Sequence, residues 1–157
     1  MIQIVKDSDT RPWFFLQTAH TTYGMWVMET GHLEHLYYGE RITVDSQDPS
    51  SCTPLVIQRA FAPGNTCTYD REHPQISMED VCLEVGTLGK GDIRDPFLEV
   101  RFADGSVTTD FTFVSYKVFT LREKEQCLQD SGLPHSYSAA ETDSTECLQI
   151  VLQDVTN

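Results

Sequence analysis

The chain lacks a membrane span, a basic cluster, a paired-cysteine motif and any sustained helical periodicity, and each absence removes a class of function. No apolar run in its 157 residues approaches the roughly twenty that cross a bilayer as a helix. The opening Met1-Ile-Gln-Ile-Val-Lys-Asp-Ser-Asp has neither the basic region nor the apolar core of a secretory signal. Lys plus Arg number 11 against 24 Asp plus Glu, a formal charge of -13. That balance repels nucleic acid and anionic lipid, and argues against both as partners. The five cysteines, Cys52, Cys67, Cys82, Cys127 and Cys147, are odd in number and widely spaced. They fit a thiol-keeping cytoplasmic location, with one or two surface disulfides left open.

Catalytic signatures are missing as well. No Ser or Cys sits in a nucleophile-elbow context. Gly86-x-x-Gly89-x-Gly91 is glycine-rich, yet it has neither the Walker pattern nor the dinucleotide order after a βα switch. His20, His32 and His35 invite a metal reading, but His32 and His35 are three apart and fall on opposite faces of a strand, with no cysteine at a matching short spacing. No catalytic residue, metal or cofactor is expected.

What is present is period-two alternation punctuated by turns. Ile2–Val5 reads as an edge strand, Trp13–Thr18 as a buried strand and Tyr23–Glu29 as a third, followed by a turn at Thr30-Gly31 and a strand over His32–Gly39. Arg41–Val44 continues the pattern. Asp45–Thr53 is polar and breaker-rich, a surface loop; Pro54–Phe61 reads as a short strand, and Ala62–Gln75 as a long irregular excursion. Ser77–Val85 carries either a helical turn capped by Ser77 or, preferred on the alternation of Val81, Leu83 and Val85, a strand. Pro96–Phe102 and Val107–Phe119 flank Asp104-Gly105 as a predicted hairpin. A charged short helix or turn over Leu121–Gln129, an irregular Gly132–Tyr137 and a last strand with Leu148, Ile150 and Leu152 on one face complete the chain. Ten or so short strands with almost no helix predict an all-β fold, an antiparallel β-sandwich, in one domain.

Two features are weighed for binding. Gly86–Pro96 packs three glycines and four charges between apolar runs, a loop whose backbone entropy needs a reason. Its Asp92 and Asp95 suggest an acid–base pair; with Arg94 between them, a loop tied by hydrogen bonds and a salt bridge is favoured over a ligand role. Trp13, Trp26, Tyr37, Tyr38 and Tyr69 are rings of the kind that stack on sugars. Trp13 and Trp26 lie in apolar runs and are assigned to the core, while Tyr37 and Tyr38 point one each way.

Taken in order, these segments resemble one family. His20-Thr-Thr-Tyr23, Gly31-His-Leu-Glu-His-Leu-Tyr-Tyr-Gly39, Arg59-Ala-Phe-Ala-Pro63, Glu84 with Gly86-x-x-Gly89-x-Gly91-Asp92-x-Arg94-x-Pro96, Asp104-Gly105-Ser106, Asp110-Phe111, Gly132-Leu-Pro134 and Leu148-x-Ile-x-Leu-x-Asp154 are similar to the amino-terminal domain of family 36 glycoside hydrolases, the large microbial alpha-galactosidases. The resemblance implies that residues 1–157 form the first part of a β-supersandwich, galactose-mutarotase-like in form, without the catalytic barrel and its two aspartates. It implies a homo-oligomer, and a galactoside handled through the full-length enzyme rather than by this chain alone. By the same resemblance Arg59, Asp92 and Arg94 belong at the rim of a neighbouring sugar pocket, and Gly86, Gly89, Gly91 and Pro96 form a structural loop. The family motif continues after Phe61 as Ser-Pro-Asn-Pro, where this chain has Ala62-Pro63-Gly64-Asn65-Thr66-Cys67. A stand-alone carbohydrate-binding module and a purely structural or oligomerising module remain the alternatives. The His-and-carboxylate centre of a mutarotase does not assemble from this sequence.

Overall fold

In the computed structural model the described residues are 1–6, 11–59, 68–120 and 145–156. Four strands, β1 (Ile2–Lys6), β2 (Pro12–Gln17), β3 (Thr21–Val27) and β4 (Leu33–Glu40), form an antiparallel meander in the order β1-β2-β3-β4. β5 (Phe111–Thr120) and β6 (Glu146–Asp154) form a second, two-stranded antiparallel sheet. The expected all-β antiparallel sandwich is what the chain adopts.

Alternation places the core. β2 is buried on both faces, with Phe14 and Phe15 fully inaccessible. Phe15 faces Val5, Trp13, Val44 and Cys52 on one side of the meander. Phe14, Val27 and Leu33 face the other sheet, against Phe113, Tyr116, Leu148, Ile150 and Leu152. A third cluster of Met28, Ile76, Met78 and Val81 closes the end of the meander where Trp26 and Tyr69 pack. Each fully buried Phe contributes about 1.5–3 kcal/mol of transfer free energy, so β2 anchors both layers.

Several expected strands take other forms. Arg41–Val44 joins no ladder; its Ile42 and Val44 carbonyls accept from the Gln17 and Gln3 side chains (2.9 and 2.7 Å), and Ile42 N–H donates to Thr22 Oγ1 (3.1 Å). A 3₁₀ helix runs over Pro49–Leu55, from the expected loop into the expected strand. Asp48 caps it by accepting from Ser50 N–H (3.0 Å), and Pro49 supplies the fixed φ of a first helical position. The Ser77 segment gives a 3₁₀ turn at Met78–Asp80 instead of the preferred strand, and Ser77 makes no side-chain cap. Only Leu83 keeps a bridge, to Glu34.

The largest departure is the hairpin. Its turn exists: Gly105 has φ +88°, Phe102 N–H donates to Ser106 O at 2.9 Å, and Asp104 accepts from Ser106. The Pro96–Phe102 arm nevertheless forms no strand, with Phe97 78% and Leu98 42% exposed. β5 pairs with β6 instead, in a ladder from Phe111↔Asp154 to Thr120↔Glu146. That pairing buries the alternating face of β6 against Phe14, which the nearer arm, led by a proline without an N–H, does not match. A bulge between Phe113 and Ser115 turns Val114 outward and Tyr116 inward. Six strands therefore stand among the described residues, fewer than the alternation suggested. The expected elements at Leu121–Gln129 and Gly132–Tyr137 lie outside the described residues.

Candidate functional site

The charged groups singled out in the sequence gather on the loop-built flank beside the meander. Glu34, on β4, is fully buried, and its carboxylate is saturated. It accepts from Trp26 Nε1–H at 2.8 Å and from both terminal nitrogens of Arg59, Nη1 to Oε2 at 3.3 Å and Nη2 to Oε1 in a close ion pair. Arg59 Nη2 also donates to the Asp80 carbonyl (3.4 Å). From the other side Arg94 donates to the Met78 carbonyl at 3.0 Å and to that of Val81. The two guanidinium groups thus converge on one turn, Met78–Val81, although 35 positions separate them in the chain. Arg59 lines a cleft of about 200 Å³ with Trp26, Met28, Glu29 and Gln75.

The Gly86–Pro96 loop is internally tied. Arg94 grips Asp92 with Nε to Oδ1 at 2.8 Å and Nη2 to Oδ2 at 2.9 Å, while Arg94 N–H donates to Oδ1 at 3.1 Å. Burial raises the Asp92 pKa, but these bonds and the adjacent guanidinium outweigh it and hold the carboxyl below its ordinary range. The same pairing raises the Arg94 pKa. Gly89 (φ +100°) and Gly91 (φ +92°) occupy the left-handed region, and at Gly89 a Cβ would lie 2.5 Å from the Thr108 side chain. Phe97 N–H, just after Pro96, returns to the Gly86 carbonyl (2.9 Å) and closes the loop. Asp95 is exposed, so the two aspartates have separate surroundings and do not form an acid–base pair.

A second buried carboxylate entered the sequence reading only through the Asp110-Phe111 segment of the family resemblance, with no role assigned to it. Asp110, 1% exposed, meets His32 Nε2 at 2.6 Å, Tyr69 O–H at 2.9 Å and Lys90 Nζ at 3.4 Å. Thr30 Oγ1 lies 2.8 Å from His32 Nδ1. Burial raises the Asp110 pKa, yet the bonds from His32 and Tyr69 and the charges of His32 and Lys90 leave it below the ordinary value. Burial and Asp110 together push the Tyr69 phenol well above its ordinary range. The chain Thr30–His32–Asp110 has the residue types of a nucleophilic triad, but Thr30 is buried and the polar atoms of the three are spent on one another and on Tyr69 and Lys90. It joins the β3–β4 turn, the Tyr69 segment, the glycine loop and the start of β5. A third cluster ties β3 and β4 to the loop flank: Glu84 accepts from Tyr23 O–H (2.6 and 2.7 Å) and pairs with His35 Nδ1 (3.1 Å). Burial and then Glu84 push the Tyr23 phenol up. Tyr38 is 72% exposed, whereas Tyr37 is half-buried and donates to the Glu40 carbonyl.

Among the described residues, no group of three or more His, Cys, Asp or Glu is placed to hold a metal ion, His20 being exposed and His32 and His35 engaged elsewhere. Cys52, Cys82 and Cys147 are free thiols. No helix among them is long and apolar enough to cross a membrane.

Residues 31–157 match the profile of the glycosyl hydrolase family 36 N-terminal domain. The chain is 36% identical over 143 residues to the bifunctional alpha-galactosidase/sucrose kinase AgaSK of Mediterraneibacter gnavus, covering 90% of this chain and 14% of that protein. It is 28% identical over 141 residues to the alpha-galactosidase AgaA of Geobacillus stearothermophilus, covering 90% of this chain and 18% of the relative. The crystal structure of the alpha-galactosidase from Lactobacillus brevis superposes with a TM-score of 0.71 at 26% identity, over 97% of this chain and 19% of that one. The chain thus spans less than a fifth of the length of these relatives. Family profile, sequence relatives and fold agree, and the chain belongs to the family of glycosyl hydrolase family 36 N-terminal domains.

Proposed function

We propose that this chain serves as the non-catalytic amino-terminal β-domain, residues 1–157, of an alpha-galactosidase that hydrolyses terminal alpha-D-galactosyl residues. In that reading it is the first part of a β-supersandwich, it contributes to a subunit interface in a cytoplasmic homo-oligomer, and it supplies the rim of a sugar pocket. The observation that carries the reading is the family match over residues 31–157. The geometry supports the non-catalytic part. A retaining glycosidase needs a nucleophile and a separate acid/base facing one gap. Glu34 and Asp110 are instead filled by Arg59, Trp26, His32, Tyr69 and Lys90.

Arg59 suits a rim role because Glu34 fixes its guanidinium where the residue lines a cleft with Trp26, Met28, Glu29 and Gln75. A guanidinium held in place by a carboxylate keeps further N–H groups for a hydroxyl that enters its cleft. Arg94, 45% exposed along its side chain and clamped to Asp92, stands on the same turn. The test is turnover of a chromogenic alpha-galactoside. The purified chain should give none above a protein-free blank, and hydrolysis by it overturns the non-catalytic reading. In the full-length galactosidase, Arg59→Ala should raise KM about tenfold, the worth of one charged hydrogen bond. Unchanged kinetics there overturn the rim assignment.

A further inference from the structure

A buried ion pair is a poor way to stabilise a core. Taking both charges out of water costs about what their attraction returns, and apolar side chains of similar volume serve as well. Glu34 is nonetheless fully buried, on a strand whose Leu33 and Leu36 pack in hydrocarbon. What a carboxylate adds at that place is direction.

The direction is built outward from the core in steps. Trp26 packs against Trp13, ring centroids 4.7 Å apart, and against the Met28–Met78 cluster. It faces Glu34 across the β3–β4 ladder, and its Nε1–H donates to Oε2 at 2.8 Å, which fixes the rotation of the carboxylate. Glu34 then holds Arg59 end-on, with Nη2 on Oε1 in a close ion pair and Nη1 on Oε2 at 3.3 Å. Two bonds to one carboxylate leave the guanidinium plane a single orientation. The other bonds of these nitrogens are long: Nη1 to the Ile57 carbonyl at 3.5 Å and Nη2 to that of Asp80 at 3.4 Å. Bonds of that length are weak, and a hydroxyl in the cleft can take over their N–H groups. Arg59 lines the cleft of about 200 Å³; Glu34 does not.

We propose that Glu34 is a positioning residue for the galactoside: it never meets the sugar, but, braced by Trp26, it aims the Arg59 guanidinium at the cleft. This rests on the rim reading of Arg59 above and names the residue on which that role depends. The interaction it sets up belongs to substrate binding, so its loss should appear in KM and not in kcat.

The test is a set of variants of the full-length galactosidase, each checked by thermal melting. Glu34→Gln keeps the shape of the side chain and removes its charge. It should raise KM about tenfold, as Arg59→Ala does, with kcat within about twofold of the wild type. The double variant Glu34→Gln with Arg59→Ala should be no worse in KM than Arg59→Ala alone, because the two residues act as one. A folded Glu34→Gln enzyme with wild-type KM overturns the proposal, and leaves the rim reading intact if Arg59→Ala still raises KM. An Arg59→Ala enzyme with wild-type KM overturns both. If Glu34→Gln does not fold, guanidinium ion decides. Added to Arg59→Ala it should occupy the place opposite Glu34 and lower KM towards the wild-type value. It should do nothing for Glu34→Met with Arg59→Ala, which leaves no charge unpaired and no carboxylate to hold the ion. Absence of rescue in the first, or equal rescue in the second, overturns the proposal.

Discussion

The sandwich and its flank are held together by different physics. In the sandwich, Phe14 and Phe15 point to opposite faces of β2 and are both sealed in hydrocarbon. On the flank, residues 68–110 form no regular strand, and three carboxylates organise the chain: Glu34 gathers Arg59 and Trp26, Asp92 gathers Arg94, and Asp110 gathers His32, Tyr69 and Lys90. Burial of apolar area is non-directional and tolerant of detail. Saturated buried carboxylates are directional, and they fail when one partner is lost. The sheets thus supply cohesion, while the flank fixes positions, and fixed guanidinium groups are what a rim or an interface requires.

The largest effect should come from breaking the sandwich. Phe15→Ala removes a fully buried ring packed against Val5, Trp13 and Val44 and should cost about 3–5 kcal/mol in urea denaturation. The flank gives a different signature. Glu34→Ala strands Arg59 beside a buried cavity and should cost about 3 kcal/mol, whereas Glu34→Met with Arg59→Met should recover most of that loss. A double variant as unstable as the single would mean that the pair is not the organising contact.

This contrast also decides what the sequence could tell. Period-two patterns located β1 to β4 and β6, and β5 within the expected Val107–Phe119, because at least one face of each packs on hydrocarbon and leaves a repeat in the residues. The same patterns misled at Pro96–Phe102, where alternation exists but no sheet covers it, and at Val81–Val85, where Met78 and Val81 turn into a core cluster from a 3₁₀ turn. The Asp92–Arg94 clamp was legible because both partners lie in one short loop. Glu34–Arg59 and His32–Asp110 were not, since their partners are 25 and 78 positions apart and a single sequence carries no record of such pairing. Glu34 sat in a strand as an ordinary alternating charge; only the Trp26 and Arg59 donors around it distinguish it from a solvent-facing glutamate.

The glycine loop sharpens the comparison at intermediate cost. Gly91 has positive φ and open space around its missing Cβ, so Gly91→Val should cost about 1–3 kcal/mol from backbone strain alone. Gly89→Val adds a clash with Thr108 and should be worse. Thermal unfolding of the two variants ranks them, and equal losses would assign the whole effect to φ.

The least effect, and the one most particular to the flank, concerns acid. Asp110 has a folded pKa below its ordinary value of 3.8 because His32, Tyr69 and Lys90 favour its ionised form over the opposing penalty of burial. A carboxyl depressed in the folded state binds protons more readily when unfolded. Its contribution is therefore fully present above the unfolded pKa and is lost as pH falls through the folded one. Asp92 acts in the same direction. Stability against urea should thus fall as pH drops below about 4, the ordinary aspartate range. Asp110→Asn should lower stability at neutral pH and flatten that acid limb, because one titrating group has been removed. Phe15→Ala should lower the whole curve and leave its shape unchanged, since no proton is bound or released where the ring was lost. Parallel curves for wild type and Asp110→Asn between pH 2.5 and 5 would show that the flank's carboxylate does not couple folding to protonation, and the distinction between the two regions would fail on that point.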